Sequence, residues 1–170
     1  MTKTRKIAVL GLLTAIALTI FMIEAQIPPV VPIPGVKLGL SNIVTVFTVF
    51  TLGPAAGAAV LACRVFLGAV FAGNFSTILY SAAGGALAIL VTIGLRNILK
   101  ESQLWFAGCL GAIAHSIGQM LVAIAVTKTV GLLMYLPVMI VISIFTGLFT
   151  GLCAQFLIKR GGKLWKTIFK

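Results

Sequence analysis

Lys37 lies between two glycines in PGVKLGLSNIV, residues 34–44, of a chain in which only 9% of residues are charged. Arg64 interrupts the apolar run ACRVFLGAVFAGNFS, and GAIAHSIGQMLVA carries His115 and Gln119. Being four apart, His115 and Gln119 fall on one face of a helix. A charged side chain in hydrocarbon costs roughly 2.5–3.5 kcal/mol even on insertion scales, so an intramembrane arginine calls for a carboxylate, a bound anion or the interface. The chain has two acids, Glu24 and Glu101. Glu101 sits among Arg96 and Lys100, which leaves Glu24 to meet Lys37 or Arg64. Two readings are open: an internal ion pair that fixes the fold, or a site where Lys37 and Arg64 face a substrate anion. Glu24 alone neutralises one of the two positive charges, and a ligand head group would neutralise the other.

Other polar groups could complete such a site. Asn42 follows Lys37 by about one turn, and Asn74 with Ser76 opens another helix at the same end of the bundle. Tyr80 offers a hydrogen bond or a stacking wall. His115 reads either as a structural hydrogen-bonder or, with Gln119, as a polar stripe lining a pocket. Zinc is not expected, because there is one histidine and the cysteines, Cys63, Cys109 and Cys153, are scattered through apolar segments. The cysteines read as packing residues.

The elements that must position these groups are transmembrane helices. Hydrophobic residues make up 61% of the chain, and the mean hydropathy is +1.21, which indicates an integral membrane protein. Its 170 residues accommodate about six apolar helices, each crossing a hydrocarbon core about 30 Å thick. The expected fold is all-α, a compact six-helix bundle in one domain, with helices near 7–23, 38–52, 55–72, 75–95, 104–126 and 132–158. Gly53-Pro54 marks a tight turn between the second and third, and Gly73-Asn74 a break before the fourth. Arg64 is ten residues from Pro54, about 15 Å along a helix and near the bilayer midplane.

The start, MTKTRK followed by IAVLGLLTAIALTIFMI, has the basic and apolar regions of a signal peptide but no small-x-small cleavage pattern after it, and reads as a retained first helix. The connection 24–37, EAQIPPVVPIPGVK, holds four prolines, which forbid a continuous helix and favour a stiff extended loop. The formal charge of +11 is an orientation signal rather than a nucleic-acid surface, because its lysines and arginines cluster at the two ends and in one connection. With the amino terminus cytoplasmic, Lys3, Arg5, Lys6, Arg96, Lys100, Lys159, Arg160, Lys163, Lys166 and Lys170 fall inside, and Lys37 and Lys128 outside. Both termini are therefore expected in the cytoplasm and the proline-rich loop outside, over the mouth of the bundle. The tail 159–170 is expected to lie on anionic lipid headgroups.

Ala8, Gly11, Ala15 and Thr19 form a small-residue stripe on the first helix, a feature that lets helices approach closely. It reads either as packing inside the bundle or as a docking face for another membrane protein.

PGVKLGLSNIV, Arg64 in its apolar run, SAAGGAL, GAIAHSIGQMLVA and YLPVMIVISIFTGLFTG together resemble the Gx transporter family, also labelled heptaprenyl diphosphate synthase component I. The resemblance covers nearly the whole chain. That family is similar to the S components of energy-coupling factor (ECF) transporters, small six-helix proteins that capture a vitamin or precursor on the outer side. The resemblance implies a membrane coupling subunit and two cytoplasmic ATPases as partners, which would hydrolyse ATP. It also implies a docking face on the first helix, for which Ala8, Gly11 and Ala15 are placed, with looser spacing than repeated Ala-x-x-x-Ala.

The enzymatic label meets a chemical objection. Trans-prenyl synthases hold diphosphate through magnesium on aspartate-rich motifs, and this chain has no aspartate. It also lacks a P-loop. No intrinsic cofactor is expected. The label does suggest a ligand with an apolar body and an anionic or polar head, such as an isoprenoid diphosphate or a quinone precursor. The expected substrate site is Glu24, Lys37, Asn42, Arg64, Asn74, His115 and Gln119. Two rival functions remain open: a noncatalytic membrane partner of a prenyl synthase catalytic subunit, and a self-contained channel or facilitator.

Overall fold

The computed structural model describes residues 2–28 and 37–169, with backbone alone at 163, 164 and 166–169. The α-helices are α1 Lys3–Glu24, α2 Asn42–Thr51, α3 Pro54–Ala72, α4 Ser76–Arg96, α5 Leu104–Thr127 and α6 Leu136–Phe169. Short 3-10 segments, Glu101–Gln103 and Val130–Tyr135, lead into α5 and α6, and no strand occurs among the described residues. All helices except α2 are long and apolar enough to cross a bilayer, so this is a multi-pass membrane protein.

α2 is shorter than the sequence suggests, because the helix starts at Asn42 and not at 38. Ten residues rise only about 15 Å, half of the hydrocarbon thickness. Its sequence, NIVTVFTVFT, is rich in β-branched residues that favour helix weakly. Burial compensates: α2 packs against α1, α3, α4, α5 and α6 and forms the axis of the bundle. Its threonines bond their own chain, Thr48 donating to the Val44 carbonyl at 2.6 Å and Thr51 to that of Phe47 at 2.7 Å. The partly buried stretch 37–41 that precedes it is not helical. Such backbone is tolerated within a membrane protein only where other protein groups satisfy it.

Gly53, at φ 102°, turns the chain directly into α3, whose first residue is Pro54. Successive helices then alternate in direction. Phe21 of α1 meets Gly68 of α3, Leu61 of α3 meets Gly85 of α4, and Ser116 of α5 meets Ser143 of α6. Both ends of the described chain therefore lie at the end of the bundle that holds Arg96. α5 and α6 touch backbone to backbone, and a side chain at Gly108 would collide with the Gly147 carbonyl and with Gly151. This close approach is the usual means of association where lipid supplies no hydrophobic drive.

The sixth helix departs from expectation at both ends. It begins at Leu136, with Pro137 in its first turn, and it continues through Gly161-Gly162 to Phe169. Trp165 explains the continuation, since its ring folds over Gly161, stacks edge-on against Phe47 at 5.3 Å and donates to the Leu157 carbonyl at 2.7 Å. Residues 159–169 thus extend α6 instead of forming a separate tail. Most of the proline-rich connection, residues 29–36, lies outside the described residues, as does its expected role as a lid.

Candidate functional site

The non-helical stretch before α2 is held by side chains from two other helices. Glu24, the last residue of α1, is buried, and its Oε1 accepts from Gly39 N–H at 2.6 Å while Oε2 accepts from Leu40 N–H at 2.9 Å. The carboxylate thus ties the far end of the connection back to its start. Gln119 of α5 holds the residue before. Only one orientation of its amide suits its surroundings: Nε2 donates to the Lys37 carbonyl at 3.0 Å, and Oε1 accepts from Lys37 N–H at 3.1 Å and from His115 Nε2 at 3.2 Å. The amide pairs with both backbone groups of Lys37, as a neighbouring strand would.

Anchored in this way, Lys37 places Nζ 3.7 Å from the centre of the Phe21 ring. Arg64 of α3, only 2% exposed, places its guanidinium carbon 5.7 Å from the same ring. Two cations beside one aromatic ring gain from its quadrupole, yet they repel each other. Glu24 attracts both, but among the described residues neither cation pairs with it directly. The carboxylate is bonded to backbone amides, so the ion-pair reading is corrected: Glu24 acts as a backbone clamp. Burial pulls the pKa of Lys37, which lies in the connection outside the spanning helices, below 10.5; Glu24 opposes the shift and Arg64 adds to it.

A cavity of about 530 Å³ opens at this end. Glu24, Gln26, Lys37, Asn74, Thr77, Ser116 and Ser143 supply its polar lining, and Met22, Phe71, Met139 and Ile142 much of the apolar remainder. Of the residues expected to bind substrate, Lys37, Glu24 and Asn74 reach this cavity. Asn74 is an exposed residue of its lining, and its Oδ1 accepts from Ser76 N–H at 3.1 Å and from Ser76 Oγ at 2.6 Å at the start of α4.

Asn42, Arg64, His115 and Gln119 do not line the cavity. They form a buried polar layer around Lys37 and Gly39. Several atoms of this layer, including both amide atoms of Asn42, Arg64 Nη2 and His115 Nδ1, have no hydrogen-bond partner among the described residues. Sequence reasoning missed Thr77, Ser116 and Ser143, although each is a hydroxyl inside an apolar span. Tyr80 belongs to the core beside Met120, Ala123 and Met139.

Ala8, Gly11 and Ala15 are all exposed, and a side chain built at Gly11 would meet nothing within 4 Å. The stripe is therefore not used for packing within the chain. Among the described residues no group of three or more His, Cys, Asp or Glu side chains could hold a metal ion.

A family model described as heptaprenyl diphosphate synthase component I matches residues 13–157, a stretch that contains the cavity and the polar layer. No curated protein and no solved structure matches the chain.

Proposed function

The chain belongs to the heptaprenyl diphosphate synthase component I family, and from that premise we propose that it is a substrate-capturing membrane subunit, like the S component of an ECF-type uptake transporter. The observation that carries this reading is the cavity of about 530 Å³ at one end of the bundle, lined by Lys37, whose backbone is held by Gln119 of the buried polar layer. Its volume lies in the range of small-molecule sites, and its lining combines an apolar wall with a few polar groups. The net positive charge of Lys37, Arg64 and Glu24 favours an anionic or polar head group, with the apolar body against Met22, Phe71 and Ile142. An isoprenoid- or quinone-related precursor has that form.

Capture without an engine requires partners. The bare stripe of Ala8, Gly11 and Ala15 suits docking to a membrane coupling subunit, and two cytoplasmic ATPases would hydrolyse ATP. In this reading the protein is not an enzyme, both termini face the cytoplasm and the cavity opens outward, as the distribution of lysine and arginine favours. The family's description supports one other reading, a noncatalytic membrane component working beside the catalytic subunit of a prenyl synthase. The burial of Asn42, Arg64, His115 and Gln119 beside Lys37 argues against a stand-alone channel.

Purification in mild detergent from cells expressing the chain at native level tests these readings. Co-isolation of a membrane scaffold with two ATPases is the expected result. Recovery of a soluble prenyl synthase instead would overturn the transport reading in favour of the accessory one.

A further inference from the structure

The hydroxyl groups of the cavity have a fixed polarity. Ser143 Oγ lies 2.6 Å from the Met139 carbonyl oxygen and 2.6 Å from Ser116 Oγ. A hydroxyl has one proton to give. The carbonyl has none, so Ser143 donates to Met139, and the proton in the Ser116–Ser143 contact comes from Ser116. Thr77 likewise donates to the Asn74 carbonyl at 2.7 Å. These side chains are buried, at 3% exposure for Ser143, 4% for Ser116 and 6% for Thr77, yet all reach the cavity. What Ser116 and Thr77 offer a ligand is therefore lone pairs alone.

The opposite polarity is found at Lys37 and Asn74. The ammonium has only donors, and Asn74 has committed its oxygen to Ser76, which leaves its NH2 group. The lining thus presents donors at Lys37 and Asn74, which favour an anion, and lone pairs at Ser116 and Thr77, which favour a ligand donor, while the Gln26 amide can serve either.

We propose that the ligand is an organic anion that also carries at least one N–H or O–H donor apart from its anionic group, with Lys37 receiving the anion and Ser116 and Thr77 the donor. This specifies the substrate class of the site and rests on the reading of that site as a capture site. It selects among the ligands considered above. An ionised prenyl diphosphate has acceptors at its head and no donor along its chain, so it would offer nothing to the lone pairs that Ser116 and Thr77 turn to the cavity. A hydroxylated or amino-bearing aromatic acid satisfies both.

The test begins with the small molecule retained by the full chain after purification in mild detergent. Mass spectrometry of the extracted compound in H2O and in D2O counts its labile hydrogens. An acid bearing at least one labile hydrogen beyond its acidic group is expected; a retained compound without one overturns the proposal. If the protein is isolated empty, it is titrated with 4-(4-hydroxyphenyl)butanoate and with the corresponding methyl ether, which lacks the donor. The phenol should bind roughly tenfold more tightly, the worth of one hydrogen bond, and Ser116→Ala with Thr77→Val should abolish the difference. Equal affinities, or no binding of either probe, would refute it. Failure here is distinguishable from failure of the transport reading: a donor-free ligand in a complex with ATPases sinks this inference alone, and a donor-bearing ligand in a chain without ATPases sinks only the other.

Discussion

Gly39 and His115 lie so close that a methyl group on Gly39 would stand 3.1 Å from the imidazole Cδ2. The same methyl group would come within 3.0 Å of Asn42 Nδ2. Gly39 also has φ at 80°, in the region where a side chain costs roughly 1–2 kcal/mol. Conformation and crowding therefore act together at the residue whose N–H is held by Glu24.

Gly39→Ala is expected to lower stability by at least the conformational cost, about 1–2 kcal/mol, and to loosen the clamp. Thermal unfolding in detergent reads the first effect, and faster amide exchange at Leu40, the second N–H held by Glu24, reads the second. An unchanged midpoint would mean that the connection repacks freely.

Gln119 is the second clamp, and it should separate fold from binding. In Gln119→Leu both backbone groups of Lys37 lose their partner, at a cost of about 1–3 kcal/mol for each buried group left unpaired. Gln119→Glu still accepts from Lys37 N–H but, when ionised, cannot donate to its carbonyl. The expected order of ligand retention is Gln119, then Glu, then Leu, with all three proteins monodisperse. Equal retention would show that Lys37 is placed without this contact.

The sequence displays these residues unevenly. Lys37, Arg64, His115 and Gln119 stand out because charge and amides are costly inside apolar spans, and the structure does gather them about one end of α2. Their division of labour is not visible, since the identity of Gln119 does not reveal that its partner is the backbone of Lys37. The shortened α2 escapes notice for the same reason: LGLSNIV continues the apolar pattern, and it is contacts from distant residues, the Glu24 carboxylate on Gly39 and Leu40 and the Gln119 amide on Lys37, that fix the chain in another conformation there. Gly161-Gly162 resembles a stop, but Trp165 packs back over it. Ser116 and Thr77 stay inconspicuous because hydroxyls are common in membrane helices, where they bond their own carbonyls. Thr77 and Ser143 follow that habit, and Ser143 in turn takes the proton of Ser116.

Lys37 should give the site an alkaline limit. Its pKa lies below 10.5, chiefly through burial, so the empty site loses this charge at a lower pH than an exposed lysine would. The sign is fixed: an anion binds the protonated form, so affinity is full at lower pH and declines as pH rises through the lowered value. Lys37→Arg should move that decline upward, because guanidinium stays charged, while Lys37→Gln should remove it along with most of the anion affinity. A pH titration of ligand binding for the three proteins checks this, and an identical profile in Lys37→Gln would assign the charge requirement to Arg64.

The exposed stripe on α1 gives the prediction that bears on partners. Ala8, Gly11 and Ala15 leave a shallow surface where the backbone of another helix could approach closely. Lipid would fill that surface equally well, so exposure does not distinguish a docking face from an ordinary lipid-facing one. Gly11→Leu does. The added side chain meets nothing within 4 Å inside the chain, and the thermal midpoint should therefore stay unchanged. Against a partner helix it would block the approach and reduce co-isolation of the coupling subunit and its ATPases. Phe149→Leu on α6, at a position that is 60% exposed, provides the control for a change that only lipid would feel. Loss of the complex in Gly11→Leu and in Ala15→Leu, with Phe149→Leu and ligand retention unaffected, would establish α1 as the docking face. An intact complex in both α1 variants would move the search to the broad apolar face of α6, where Phe145 and Phe156 also stand exposed.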